Sequence, residues 1–391
     1  MSISNNSLVK DFDVIIVGGG LAGLTSAILL SRNKKKVLLI EKKSYPFHKV
    51  CGEYVSNEVL PFLKSLGFDP FKHGAVELKQ LRVSSPSGKQ YFIEHDIGGF
   101  GLSRYRMDWE MFKVAQSVGA QVRTNTKVTD IIFGDNNFKV ETNQGETFSS
   151  KLVIGSYGKR DLLDKKLNRD FIKNHTGYLG VKYHVRLSYP MDAGLDNFEG
   201  GYCGISRIED NKYNLCYLYK RNPKKDYKTI HELEENVLFR NPVIKNIFEN
   251  SEFLFDEPEV INEISFAPKK IIENHILMCG DSAGLITPVC GNGMSMAING
   301  ARLLCELILE SEILKSGNIT IQARKNLEED YETKWKKYFQ RRLFWGRAIQ
   351  SVFGSRDLTS LGLKIIHSIP LLKKWLIANT HGKAHSIDEI S

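Results

Sequence analysis

Four residues near the start of the chain have the types and spacing of a phosphate grip. Gly18, Gly20 and Gly23 form the pattern GxGxxG, and Glu41 stands 21 residues after Gly20. Each has its own task. Gly18 permits a tight turn, Gly20 lets a pyrophosphate approach the backbone, and Gly23 lets a helix pack closely on a strand. A helix opening just after the glycines presents about half a positive charge to the phosphates. A carboxylate at Glu41 accepts from both hydroxyls of an adenosine ribose and disfavours a 2′-phosphate.

The elements that must hold these residues are written around them. Residues 13–17 (Asp-Val-Ile-Ile-Val) are a short β-branched run suited to a buried parallel strand. Residues 21–31 read as a helix, and residues 36–41 as a second strand that ends in the acid. The whole is a βαβ unit of about 30 residues, the context that gives the glycine pattern its meaning. This stretch is also the most apolar in the chain. Asp11 and Asp13 flank it and Gly18-Gly19-Gly20 interrupts it, so it reads neither as a secretion signal nor as a spanning helix of about 20 apolar residues.

The 391 residues are 42% hydrophobic, a composition that suits a globular protein with a sizeable core. Six cysteines (51, 203, 216, 279, 290, 305) are scattered without a CxxC pair, which offers neither a disulfide framework nor a metal-ligand spacing. The net charge is +9, but residues 334–391 carry eleven Lys/Arg against three acids, so +8 of it belongs to that segment. Basicity confined to one segment argues against a nucleic-acid partner.

A second informative stretch is residues 275–294, HILMCGDSAGLITPVCGNGM: a short apolar strand, Gly-Asp, a loop, and a helix over residues 292–310. GxGxxG with its acid, followed far along by GDxAGxxxPxxGxGM, resembles FAD-dependent oxidoreductases of the p-hydroxybenzoate hydroxylase type. The similarity is greatest to the branch of geranylgeranyl reductases, flavin halogenases and related monooxygenases. The resemblance implies that FAD is the cofactor, with NADH or NADPH as reductant. It implies that Asp281 accepts from the ribitol chain, and that Gly291, Gly293 and Met294 open a helix whose N-terminus faces the flavin pyrimidine edge. Reduced flavin carries negative charge there, which helix N–H groups stabilise.

Two further stretches match. Residues 102–108 (LSRYRMD) resemble the family's RxxxD segment, which places Arg104 at the ribitol or pyrophosphate and Asp108 as the cap of a helix over 109–118. At 155–158, Ser156 and Tyr157 stand where the family usually has Ala and Asp, a departure from its Gly-Ala-Asp-Gly segment.

The expected fold is α/β. A Rossmann-like FAD-binding domain (10–80, 101–165, 266–325) interleaves with a β-sheet substrate domain (81–100, 166–265), and a helical, basic C-terminal region (326–391) follows. Ser85-Pro86-Ser87-Gly88 marks a turn between two strands, and Asn211 and Lys212 mark a hairpin.

Residues 49–56 (KVCGEYVS) resemble the branch's KxCG(E/G)xxS segment. The resemblance places Cys51 over the substrate face of the flavin as a proton donor in alkene reduction; the alternative is a small packing residue. Glu53 and Ser56 order the loop, with Ser56 capping a helix over 57–66. Glu53-Tyr54 is closer to monooxygenase relatives than the usual Gly-Gly. The reading taken is therefore an NAD(P)H-dependent flavin monooxygenase acting on a small hydrophobic substrate of isoprenoid, polyketide or quinone type. The alternatives are geranylgeranyl reductase-like reduction of C=C bonds with Cys51 as proton donor, and an electron-transfer flavoprotein. The WxWxIP segment of tryptophan halogenases is absent, since Trp occurs only at 109, 335, 345 and 375. The C-terminal region mixes cations with aromatics, which suits an anionic lipid surface as well as ordinary helices covering a pocket. The expected location is cytoplasmic, with peripheral contact at the inner membrane face as the variant.

Overall fold

A computed structural model describes residues 10–173, 177–222, 224–225, 227–287, 291–314, 320–352, 355–369, 371–372, 375 and 379. Cys290, Pro288 of the second motif, and the charges at 373, 374, 383, 388 and 389 lie outside the described residues.

The chain passes back and forth between two sheets. β1 (Lys10–Val17), helix α1 (Leu21–Arg32) and β2 (Val37–Ile40) begin the first sheet. β3 (Tyr54–Ser56), β4 (Val76–Ser84) and β5 (Gln90–Gly101) belong to the second. Helix α2 (Arg104–Ser117) leads back to β6 (Gln121–Arg123), β7 (Val128–Gly134), β8 (Asn137–Thr142) and β9 (Thr147–Gly155) of the first. The second sheet then gains β10 (Tyr178–Arg186), β11 (Ala193–Phe198), β12 (Gly201–Ile208), β13 (Lys212–Lys220), β14 (Glu252–Phe253) and β15 (Glu259–Ile264). β16 (Ile272–Glu273) and β17 (Ile276–Met278) close the first sheet, and helices α3 (Gly293–Glu310), α4 (Ile321–Val352) and α5 (Arg356–Ser368) follow.

The first sheet runs β16-β17-β9-β1-β2-β6, with the β7–β8 hairpin joined to β9. Its centre is parallel: Val14 lies beside Val37, Ile16 beside Ile154, and Leu277 beside Ile154. Residues 14–17 and 37–40 are buried as continuous apolar runs, because helices cover the sheet. α1 is buried almost all round, between that sheet, α2 and α3. The second sheet runs β14-β10-β13-β12-β11-β4-β5-β3 and is mostly antiparallel. The β12–β13 hairpin turns on Asp210 and Asn211, both at positive φ (57° and 54°), which Asn and Asp tolerate best. Lys212 is the first residue of β13 rather than part of the turn.

The expected domain edges at 80/81, 100/101 and 325/326 fall inside β4, β5 and α4. The last is instructive. Leu327, Tyr331, Trp335, Phe339 and Leu343 recur at four-residue spacing and are buried in the same core as β1 and β9. The Tyr331 hydroxyl donates to the Met278 carbonyl (2.7 Å), and Arg324 donates to the carbonyls of Asn136 and Lys151. The front of α4 is thus part of the first sheet's core. Tyr331→Ala is expected to lower the stability of the whole fold by about 3–5 kcal/mol in a single urea transition. A separate early transition would show the helix to be an independent unit.

Candidate functional site

In a parallel sheet, loops leaving the carboxyl ends of neighbouring strands meet where the chain turns to opposite sides. Here β1, β2, β9 and β17 deliver Gly18 and Gly20, Glu41, Ser156 to Gly158, and Gly280 with Asp281 to one edge. All of these line one cavity of about 1450 Å³. Four segments spread over some two-thirds of the sequence are brought together by parallel pairing alone.

The three glycines differ in what requires them. Gly18 has φ +103°, and a Cβ there would strike the Ser156 carbonyl. A Cβ on Gly23 would strike the Gly18 carbonyl. Both are therefore demanded by the protein's own packing. A Cβ on Gly20 would meet only the Arg104 and Lys49 side chains, each at 3.9 Å, and would project into the cavity. The space beside Gly20 is thus kept open between two cations, as a pyrophosphate requires. Glu41, at the end of β2, accepts from the Gly19 N–H (2.7 Å) and the Lys43 N–H (3.0 Å) and lines the cavity. Ser156, which departs from the family's Ala, donates to the Val17 and Gly18 carbonyls and ties β9 to the glycine turn.

Arg104 lines the cavity, held by a two-pronged pair with Asp108 (Nε and Nη2, both 2.8 Å), and Lys49 joins the same carboxylate at 2.8 Å. Burial opposes the Arg104 charge, but Asp108 and then the Cys51 thiol outweigh it and raise its pKa. Burial likewise pushes the Asp108 carboxyl up, and Arg104 and Lys49 more than reverse this. Asp108 is not a helix cap. α2 starts at Arg104, and the cap is Ser103, whose Oγ accepts from the Arg106 N–H (3.1 Å). Asp108 sits one turn in, where i,i+4 spacing aims it at Arg104. The expected helix over 57–66 is also modified. Ser56 accepts from the Glu58 N–H, opening a 3₁₀ turn (Asn57–Val59) that leads into Leu60–Ser65.

Cys51 is half-buried at the cavity wall, which Arg104 also lines. Its loop is tied down from the second sheet. Asn214 donates to the Cys51 carbonyl (3.1 Å), and Ser206 to the Gly52 carbonyl (2.8 Å). The strongest tie is Glu53, which is fully buried. Its carboxylate accepts from Lys182 Nζ (2.6 Å) and from the Arg104 N–H (2.8 Å), and pairs with His184 Nε2 (2.7 Å). Burial alone would raise the Glu53 pKa; Lys182 first and then His184 reverse this and bring it to about 2. The backbone at Glu53 is left-handed (φ +52°), a conformation that favours glycine and is held here by these bonds.

Lys182 and His184 were not among the residues read from the sequence. Their signal is faint: two polar side chains at i and i+2 in a mostly apolar strand, hence both on one face, with the exposed Arg186 following at i+4. His48 also lines the cavity, its ring packed among Tyr105, His184 and Phe255. Burial, then Lys182 and His184, lower its pKa to about 4, so it is a neutral imidazole near pH 7.

Asp281 lies in a one-turn 3₁₀ segment after β17 and lines the cavity. Its loop is fixed by Lys269, whose Nζ donates to the Asp281 and Lys159 carbonyls, both at 2.8 Å. Burial lowers the Lys269 pKa to about 8, against the opposing pull of Asp281. Gly291 (φ +62°), Gly293 and Met294 line the cavity where α3 begins, with the Tyr54 ring 3.3 Å from where a Gly291 Cβ would stand. All ten residues expected to serve the cofactor or the chemistry, Gly23 excepted, face this one cavity.

An open glycine turn at a helix start, two flanking cations and a carboxylate at the next strand end fit a dinucleotide. Residues 11–332 match the FAD binding domain family, and the chain belongs to it. It is an FAD-dependent oxidoreductase of the geranylgeranyl reductase or monooxygenase type. It is 27% identical over 349 residues to a digeranylgeranylglycerophospholipid reductase of Methanosarcina acetivorans, covering 84% of this chain and 82% of the relative. Among solved structures it resembles a geranylgeranyl bacteriochlorophyll reductase-like protein of Thermoplasma acidophilum (TM-score 0.75, 20% identity, 96% of this chain and 98% of the other). It also resembles a p-nitrophenol 4-monooxygenase of Pseudomonas putida (TM-score 0.74, 16% identity, 94% and 99%). At these identities the structural likeness establishes the fold.

The glycines separate cofactor loss from fold loss. Gly20→Val is expected to yield folded protein with the thermal midpoint of apoprotein but without bound FAD. Gly23→Ala is expected to cost about 1–3 kcal/mol of stability in the apoprotein itself. Retention of stoichiometric FAD by Gly20→Val would remove that turn from the site.

Glu53 predicts an acid response. Its folded pKa lies below its unfolded one, so its contribution is complete above about pH 4.5 and is lost as pH falls toward about 2. The full loss amounts to about 3 kcal/mol. Glu53→Gln is expected to flatten stability against pH across that window. At neutral pH it should cost about 3–5 kcal/mol by stranding Lys182. An unchanged acid slope would refute the pairing.

Proposed function

We propose that the protein reduces carbon–carbon double bonds in an isoprenoid chain carried by a lipid, with NADH or NADPH as the source of electrons. The carrying observation is Cys51 on the wall of a cavity that Arg104 also lines and that is large enough for a second molecule beside a dinucleotide. At about 1450 Å³ the cavity exceeds the roughly 300–1,000 Å³ of a site for one drug-sized ligand. Its far end is apolar, lined by Val83, Ile93, Leu195, Ile349 and Leu363. The digeranylgeranylglycerophospholipid reductase relative acts, by its name, on an isoprenoid lipid and supports the same reading.

Bound FAD, once reduced by NADH or NADPH, would supply the hydride. The protein's own part is the proton. The Cys51 S–H bond breaks as a C–H bond forms at the other alkene carbon, and the thiolate left behind is stabilised by Arg104 until solvent returns a proton. The product gains two hydrogens per double bond. Cys216 also lines the cavity, but burial, followed by the charge of Cys51, pushes its pKa up to about 12, which makes it the poorer acid.

The Glu53-Tyr54 pair, which in the sequence tips the reading toward oxygenation, loses that weight here. The Glu53 carboxylate is spent on Lys182, His184 and the Arg104 N–H, so it anchors the loop whatever reaction follows.

The test is anaerobic. FAD-loaded protein reduced by NAD(P)H is mixed with a geranylgeranyl phospholipid in detergent. Reoxidation with a mass gain of two hydrogens per bond is expected. Cys51→Ala should slow that step by at least about 100-fold while FAD content is unchanged. A product that instead gains oxygen on admission of air, or undiminished reoxidation in Cys51→Ala, would overturn the reading.

A further inference from the structure

Helix α5 has two apolar faces, and among the described residues only one packs into the fold. Inward, Thr359 and Leu363 are buried, Leu363 packs near Val83 and Tyr91, and Gly362, Leu363 and Ile366 form part of the cavity wall. Outward, Leu358 (54% exposed), Leu361 (57%), Ile365 (41%) and the capping Ile369 (46%) follow at three- and four-residue steps, which is one continuous stripe on a helix. Leu371 (81%) extends this run of exposed apolar side chains. A water-facing stripe of this kind marks a surface that something else covers.

Two residues belong to both sides. Ile365 and Trp375 line the cavity and are each 41% exposed, so they stand at its opening. The Trp375 ring meets the Trp345 ring edge-on at 4.6 Å, and Trp345 also lines the cavity. The apolar stripe therefore leads directly to the mouth of the site.

The charge of the C-terminal segment selects the covering partner. Residues 334–391 hold +8 of the chain's +9. On α5, Lys364 is exposed beside the stripe, and on α4 exposed Lys337, Arg341 and Phe344 share a face at four- and three-residue steps. Cations interleaved with exposed aliphatic and aromatic side chains match an anionic bilayer surface, where headgroups meet the cations and the acyl boundary takes the apolar stripe. A second copy of this chain would bring the same positive charge to the contact and be repelled.

We infer that α5 is a membrane-surface lid. Its outer stripe lies in the headgroup region of an anionic leaflet, its inner face roofs the cavity, and a lipid chain passes from leaflet to cavity between Ile365 and Trp375. Among the described residues no helix is long and apolar enough to cross a membrane, so the contact is with the surface. The inference stands whether the flavin chemistry is reduction or oxygenation, because it concerns only how a lipid reaches the cavity.

The experiment sediments FAD-loaded full-length protein with vesicles of phosphatidylcholine alone or with phosphatidylglycerol, at low and high salt. Wild-type protein is expected to pellet with the phosphatidylglycerol vesicles, more at low salt. The double variant Leu358→Glu/Leu361→Glu alters only outward side chains and should bind at least about tenfold more weakly, with FAD content and thermal midpoint unchanged. Brominated phosphatidylglycerol should quench tryptophan fluorescence less in Trp375→Phe than in wild type. Equal recovery in the supernatant with and without anionic vesicles, or wild-type binding by the double variant, would overturn the lid. So would a dimer without vesicles that the double variant abolishes, since the stripe would then be a contact between copies.

Discussion

Glu53 is a carboxylate sealed from water between the second sheet and the start of α2, and the geometry of the cavity depends on it. A buried carboxylate survives only if its charge is matched and its oxygens are bonded. Lys182 and His184 supply the match from β10, and the first N–H of α2 supplies the remaining bond. The loop that carries Cys51 is thereby fastened to the second sheet, while Arg104 and Lys49 are fastened to each other through Asp108 beside the glycine turn of the first. Such a cluster adds little net stability over an apolar replacement, but removing one partner is costly. Its value is positional: the loop has one place to go.

Around that anchor the cavity divides by chemistry. At the carboxyl edge of the first sheet, backbone N–H groups, cations and Glu41 converge, as a dinucleotide needs. At the second sheet and the C-terminal helices the lining includes an apolar group in which Leu195 and Leu363 belong to one cluster. Cys51 stands where the two regions meet.

The C-terminal helices complete the enclosure and belong to two regimes. The front of α4 is held by a buried stripe and by Tyr331 and Arg324 in the first sheet's core. Past Phe339 the helix moves over the cavity, and α5 continues as its roof. α5 sheds the usual division between an apolar inner and polar outer face, since its outer face carries Leu358, Leu361 and Ile365.

The glycine pattern, its helix and strand, and the Gly-Asp loop were legible in the sequence because each is local. A tight turn, an apolar run and a strand-terminal acid impose residue types at short, fixed spacing. Asp108 was misread as a cap because the helix begins one turn earlier than its composition implies, at a serine whose role only the backbone path reveals. Lys182 and His184 were silent for a different reason: their partner lies 129 and 131 residues away, and nothing in a strand's own pattern says which buried charge it will meet. The sequence by itself therefore determined the glycine turn, its helix and the strand-terminal acid, through short-range rules of backbone geometry. Only the tertiary structure decided which charges neutralise one another and that α5 lies against the cavity, because desolvation is set by what folds against a residue rather than by what adjoins it in the chain.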